Sequence, residues 1–243
     1  MPRTKAVAED GRRRHPAAGG YARGDDTRAR IVAAALDVFG QYGFGEASTR
    51  MLAEKAGVTL PALQYYFDNK EGLYLACAEH ITQRMEMRLK ALMDETAAAL
   101  MQRELPRARL TDMLLDFLDR LADIFLGERE LEKWTLFIIR EQAQPTRAFD
   151  LIFDRVMHPV VRACAALVGR LLERPASDRE VKLRTLMLIG RIVIFRPARE
   201  TALRVLGWPD FAGDRLALVK KSLHAQVAAE FSVSRHAKQR GRT

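Results

Sequence analysis

A glycine and a proline four residues apart, within TRMLAEKAGVTLPALQYYF (residues 49–67), constrain this stretch more tightly than anything else in the chain. A single helix through Gly57 and Pro61 would carry both the backbone freedom of glycine and the missing N–H of proline in its interior, and each is unfavourable there. The same two residues fit well if one helix ends at Gly57 and the next has Pro61 in its first turn. The flanking pattern agrees. Ser48 is placed to cap a helix whose Leu52, Ala53 and Ala56 turn inward, and Thr59 is placed to cap the next. At 100° per residue from Leu63, Phe67 and Tyr66 fall on or near its side, while Pro61, Gln64 and Tyr65 project oppositely with Ala62 on the flank. The expectation is two short helices, the second anchored by Leu63 and Phe67 and showing a small, polar, carboxylate-free face.

Upstream, Ile31, Ala34, Ala35, Val38, Phe39 and Tyr42 recur at helical spacing, which predicts a support helix that starts at Asp26 or Thr27 and ends at Gly43 and Gly45. Three helices in this order make a helix-turn-helix unit, whose last helix enters the major groove of DNA. The bland alternative, a helical hairpin packed into a core, would want larger apolar residues than Pro61, Ala62 and Gln64 on the second face. Charge points the same way: a formal net charge of +9 and a pI near 9.9 favour a polyanionic partner.

The stretch TRARIVAAALDVFGQYGFGEASTRMLAEKAGVTLPALQYYFDNKEGLY (27–74) resembles the DNA-binding domain of the TetR family of bacterial transcriptional regulators. FGQYGF, LAEKAGV and YYFDNKEGLY are its most specific parts. The resemblance implies that Ser48, Arg50, Thr59, Tyr66 and Lys70 contact phosphates, and that Leu60, Pro61, Ala62, Gln64 and Tyr65 face the groove of double-stranded operator DNA. Gln64 stands where the family usually has tyrosine. Base preference therefore does not transfer from a relative, although Gln is shaped for a bidentate pair with adenine.

Residues 1–26 mix Gly, Ala, Pro, Arg and Asp without periodicity and read as a disordered arm, in which Arg12, Arg13 and Arg14 could reach DNA. Residues 27–74 form the DNA-binding domain, 75–231 a larger helical domain, and 232–243 a basic tail. Lys70 opens a fourth helix whose Ile81, Met85, Leu89 and Leu92 would pack it on the larger domain, making it a lever between the two. Further helices are expected over 110–126, 128–143, 146–172, 178–195, 197–206 and 214–231, with a kink or break at Pro159.

REQAQPTRAFDLIFDRVMHP and IVIFRPARETALRVLGW resemble the C-terminal domain of the CecR-type branch of the same family, which implies a small-molecule sensor. Trp134, Phe137, Ile138, Phe149, Phe153, Met157 and Met187 are candidates for the ligand-binding lining, with Glu141, Arg140, Gln142 and Arg196 as polar anchors; ordinary core packing is the competing reading of each. Leu216, Val219, Leu223, Val227 and Phe231 share a face and, with LMLIGRIVIF (186–195), are expected to form a homodimer seam.

Other classes have less support. Cys77 and Cys164 are too few and too far apart for a disulfide framework, and the apolar run 186–195 is too short to cross a bilayer and carries Arg191, so a cytoplasmic protein without a membrane partner is expected. Cys77 and His80, three residues apart, make a poor metal site on their own, and no motif for a phosphate loop, zinc hydrolase or serine nucleophile is present. The expected fold is all-α: a three-helix DNA-binding domain followed by a larger helical ligand-binding and dimerisation domain. No enzyme activity, metal or cofactor is expected. The reading is a ligand-responsive regulator, a repressor released from a palindromic operator by an inducer. The alternative is a helical small-molecule-binding protein or enzyme that has lost DNA binding.

Overall fold

A computed structural model describes residues 19–102, 104–127 and 130–240, and all regular structure among the described residues is helical. The first helix, α1 (Gly19–Glu46), begins earlier than the expected Asp26 or Thr27. Hydrophobic periodicity reports which turns are buried, and Asp25 and Asp26 lie on an exposed turn that leaves no such signal. Arg12, Arg13 and Arg14 lie outside the described residues. Gly43, at φ 77 and ψ 175, interrupts α1 one turn before its end.

The next two helices follow the expected boundaries. α2 (Thr49–Ala56) is capped by Ser48 and ends on Gly57 in the left-handed conformation (φ 64, ψ 39), and α3 (Leu60–Phe67) is capped by Thr59 with Pro61 in its first turn. α4 (Lys70–Leu100) starts from Asn69, whose side chain accepts from the Gly72 N–H at 2.8 Å. Ile81, Met85, Leu89 and Leu92 are buried along it.

The larger body contains α5 (Arg107–Ala122), which runs into a π turn over Asp123–Gly127, and α6 (Glu130–Ala143). α7 (Arg147–Ile152) passes through a second π turn, Phe153–Met157, into α8 (His158–Leu172). The break expected at Pro159 thus takes another form. The His158 N–H reaches back five residues to the Phe153 carbonyl, widening the turn so that Pro159 enters what is effectively a new first turn, where its missing N–H is harmless. α9 (Arg179–Val193), α10 (Arg199–Leu206) and α11 (Asp214–Arg240) complete the chain, α11 extending through most of the expected tail.

α5, α8 and α9 pack together around Leu114, Phe117, Leu118, Leu167, Val168, Val181 and Leu188, and α11 closes the core against α5. This packing claims one of the two parts expected to form a dimer seam, the apolar face of α11. Leu223, Val227 and Phe231 are buried within the protomer and Leu216 and Val219 are half-buried against the same core. The other part, the expected 186–195 segment, does leave an apolar stripe open on α9 and its C-cap: Leu183, Leu186, Met187 and Ile194, each more than half exposed. A regular apolar face shows that a helix is covered, but not whether its own chain or a second copy covers it.

Among the described residues no helix is long and apolar enough to cross a membrane. Both cysteines are buried, and burial pushes the Cys164 thiol up to about 12 and the Cys77 thiol higher still. At neutral pH the thiolate fraction is negligible. Folded protein should accordingly resist a thiol-specific reagent for hours, with both residues reacting within minutes in denaturant. Fast modification of either in native buffer would show that the core opens.

Candidate nucleic-acid interface

Leu63 and Phe67, 0% and 5% exposed, hold α3 against α2 and α4. This leaves Tyr65 at 83% and Leu60 at 42% exposure, with Pro61 and Gln64 also open to solvent and Ala62 and Tyr66 half-buried. No carboxylate occurs on α3, so nothing on its outward face repels phosphate. The Tyr65 and Tyr66 rings meet edge to face at 5.3 Å, stiffening the ridge.

The predicted phosphate contacts surround this ridge. Ser48 Oγ accepts from the Met51 N–H at 3.2 Å and Thr59 Oγ1 from the Ala62 N–H at 3.4 Å, so each hydroxyl oxygen caps a helix while its O–H can donate outward. Arg50 is exposed. Lys70 lies 4.5 Å above the centre of the Phe44 ring and 3.4 Å from the Gly45 carbonyl oxygen, which aims its ammonium from the first turn of α4, where the helix dipole adds positive potential.

Two further neighbours of the ridge leave no signal in the sequence. Arg28 places its guanidinium 5.2 Å from the centre of the Phe67 ring, and the extended N-terminal part of α1 passes beside the Tyr66 hydroxyl at Gly24. Both depend on the exposed turn of α1 that carries no apolar pattern.

The seven residues expected to line a ligand pocket, and Glu141 expected to anchor it, are spread over several surroundings. Trp134 and Phe137 are packed in the core, Trp134 against His80 and Arg88 and Phe137 against Tyr74. Glu141 is 2% exposed and fully engaged: its carboxylate accepts from the Tyr74 hydroxyl at 2.5 Å and from the Thr146 N–H and hydroxyl at 3.1 and 2.9 Å. Ile138 is half-buried on α6. Phe149 and Phe153 stack at 5.8 Å, Met157 accepts from Gln142, and Met187 stands on the open face of α9. Arg140 reaches the end of α1 rather than a cavity.

An open groove of about 560 Å³ lies elsewhere, between α4 and the π turn leading into α8, lined by Met87, Leu89, Met93, Val156, Pro159 and Val160. Arg155 on that turn binds Glu86 through two hydrogen bonds at 2.9 and 2.6 Å and Glu79 at 3.0 Å; these carboxylates raise its pKa further. Sequence periodicity does not show this groove because the π turn rotates residues 155–160 out of α-helical register.

A short helix free of acids, set after a tight glycine turn and followed by a long helix that enters a larger all-α body, is the arrangement of a helix-turn-helix DNA-binding protein. Comparison with known proteins makes the assignment specific. Residues 31–77 match the family described as bacterial regulatory proteins, tetR family, and residues 106–232 match the C-terminal domain of the HTH-type transcriptional dual regulator CecR. The chain is 31% identical over 205 residues to CecR of Shigella flexneri, an alignment covering 84% of this chain and 91% of that protein. The chain belongs to the TetR family, in its CecR branch, and is a transcriptional regulator rather than an enzyme.

Solved structures show the same fold. A putative TetR-family regulator from Mesorhizobium loti MAFF303099 superposes with a TM-score of 0.51 at 17% identity, covering 87% of this chain and 98% of that one. FadR from Bacillus subtilis, in complex with stearoyl-CoA, gives 0.52 at 14% identity over 82% and 96%.

Proposed function

We propose that the protein is a homodimeric repressor that occupies a palindromic operator through paired α3 helices and leaves it when a small molecule binds the body. The observation that carries this reading is the solvent-open, carboxylate-free face of α3. In this reading Leu60, Pro61, Ala62, Gln64 and Tyr65 meet base edges, while Ser48, Arg50, Thr59, Tyr66 and Lys70 hold phosphates. Residues 27–74 act as the reading head and 75–231 as the regulatory body. The site of action is the cytoplasm, where the operator is.

Two heads whose recognition helices lie about 34 Å apart meet successive major-groove turns. The inducer acts by differential affinity: it shifts the population away from DNA only to the extent that it prefers the splayed dimer, and a useful coupling is about 1–3 kcal/mol. That FadR holds stearoyl-CoA on this fold supports a ligand-binding body. The groove beside α4 is the place from which a bound molecule would press on the lever.

The test is binding to DNA upstream of the protein's own gene at several salt concentrations. A specific site should outcompete random duplex and lose affinity steeply as salt rises; if no sequence competes better than random DNA, the reading fails. Tyr65→Ala and Lys70→Ala should each weaken operator binding by about tenfold, with dimerisation and helicity unchanged. Lys70→Ala should also reduce the salt slope by about one per head. If both variants lose helicity, the side chains are structural.

A further inference from the structure

Two consecutive residues of α6 grip the reading head at different points. The Arg140 guanidinium donates from Nε to the Gly40 carbonyl at 2.8 Å and from Nη2 to the Gln41 carbonyl at 2.6 Å. These oxygens belong to the last turn of α1 before the break at Gly43, where a helix has acceptors to spare and where a cation complements the dipole. Gly43 lets the guanidinium in: a Cβ there would lie 2.9 Å from Arg140 Nη1. The next residue, Glu141, turns inward to α4, where its carboxylate accepts the Tyr74 hydroxyl.

Tyr74 continues the connection towards the DNA side. Its ring meets Phe39 at 4.8 Å, Phe44 at 5.0 Å and Phe137 at 4.7 Å, and Phe44 is the ring on which the Lys70 ammonium rests. The other oxygen of Glu141 holds Thr146, the residue that caps α7 and so begins the segment leading into the π turn beside the groove. Burial and the facing carboxylate both raise the Tyr74 pKa, so the hydroxyl remains a donor across the working range. One carboxylate therefore joins the lever helix, α6 and the start of α7, while the neighbouring guanidinium joins α6 to the support helix.

We infer that Arg140 and Glu141 are positioning residues for operator recognition: together they lock the head to α6, fix its angle and thereby set which half-site spacing the dimer accepts. The inference rests on the DNA-binding reading above. It adds that the head moves with α6 as one body instead of swinging on α4 alone, so that displacement of α7 or α6 reaches the DNA directly. Neither residue touches DNA. Their effect is on geometry.

Half-site spacing provides a readout that loss of stability alone would not move. One inserted base pair sets the half-sites roughly 3.4 Å further apart and turns them by about a tenth of a helical turn. The full-length protein would be titrated by fluorescence anisotropy against its operator and against versions with one base pair inserted or removed, as wild type, Arg140→Met and Tyr74→Phe. Arg140→Met keeps the aliphatic stem and removes the donors; Tyr74→Phe keeps the ring and removes the hydroxyl.

Wild type should prefer one spacing by about thirtyfold, and Arg140→Met should flatten that preference to about threefold while weakening the best site by about tenfold. Tyr74→Phe should move both quantities in the same direction by a smaller amount, and Arg140→Lys should restore part of the preference. Variants that bind more weakly but keep the wild-type spacing profile would overturn the inference. Wild type that fails to distinguish any palindrome from random duplex would bring down the DNA-binding reading itself, and that outcome is visible in the wild-type arm alone.

Discussion

Gly72→Ala should abolish specific operator binding while leaving the body of the protein folded. The junction between α3 and α4 is built on close backbone approach, and a Cβ at Gly72 would sit inside the van der Waals envelope of the Phe67 carbonyl oxygen. That oxygen cannot simply retreat, because it accepts the Asn69 N–H at 2.5 Å. Between them Asp68 is held at φ 55 and ψ −55, a tight γ-type turn that only a determined surround maintains. Asn69 completes the lock by capping α4 through the Gly72 N–H.

An added methyl must therefore push α3 away from α4, and the shift falls on the ridge carrying Pro61, Gln64 and Tyr65. Overpacking of this kind costs roughly 1–3 kcal/mol, and two heads on one operator compound it, so a loss of about a hundredfold in affinity or more is expected. Anisotropy titration against operator DNA measures the loss. Circular dichroism and gel filtration should show helicity and assembly close to wild type, since Gly72 touches none of the core of α5, α8 and α9. Operator affinity within threefold of wild type would show that the junction is soft and that α4 does not set the pose of α3.

What could be read in the sequence, and what could not, separates along physical lines. The helices of the head were legible because each boundary has a local chemical cause: Ser48 and Thr59 cap, Gly57 adopts a left-handed conformation, and Pro61 lacks an N–H only where none is needed. The outward direction of Pro61, Gln64 and Tyr65 followed from 100° per residue and two apolar anchors. Arg28 and the early start of α1 were not legible, because an exposed helical turn buries nothing and leaves no period.

In the body the difficulty is different. Trp134, Phe137 and Glu141 look equally suited to lining a cavity or filling a core, and only the positions of Tyr74, His80 and Thr146 decide for the core. The groove beside Arg155 depends on a π turn, which changes the register within one helical stretch. The direction of α11 depends on which neighbour claims its apolar face. Residue spacing alone carries none of that information.

The same ambiguity on α9 leads to the second large effect. In the homodimer proposed above, Met187→Glu should leave a monomer at micromolar concentration and reduce affinity for the full palindrome to that of a half-site. Leu183, Leu186, Met187 and Ile194 are 55%, 56%, 55% and 54% exposed, and Gly190 between them offers open space where a neighbouring backbone could approach. Along the adjoining α11, Leu218 is 54% exposed and Ala225 and Ala229 are also open. Full burial of a large apolar side chain is worth about 1.5–3 kcal/mol, and since these four are already nearly half covered, closing a seam over them adds about half that for each, which favours a two-fold seam of four helices.

Between α9 and α11 the seam also holds a charged pair. Arg191 donates from Nη2 to Glu230 at 2.9 Å, but its Nη1 is buried without a hydrogen-bond partner among the described residues. Because a two-fold axis repeats every change, Met187→Glu places two carboxylates in one apolar seam and strands both. With the heads no longer linked, the second half-site is not bound at high effective concentration, and affinity should fall by about 10²–10⁴. Sedimentation velocity and operator titration measure the two consequences. Val205→Glu on α10 is the control: Val205 is 80% exposed on another surface and its replacement should leave both unchanged. If Met187→Glu stays dimeric and Val205→Glu does not, the two-fold axis passes through α10 and the spacing of the heads must be reckoned from there.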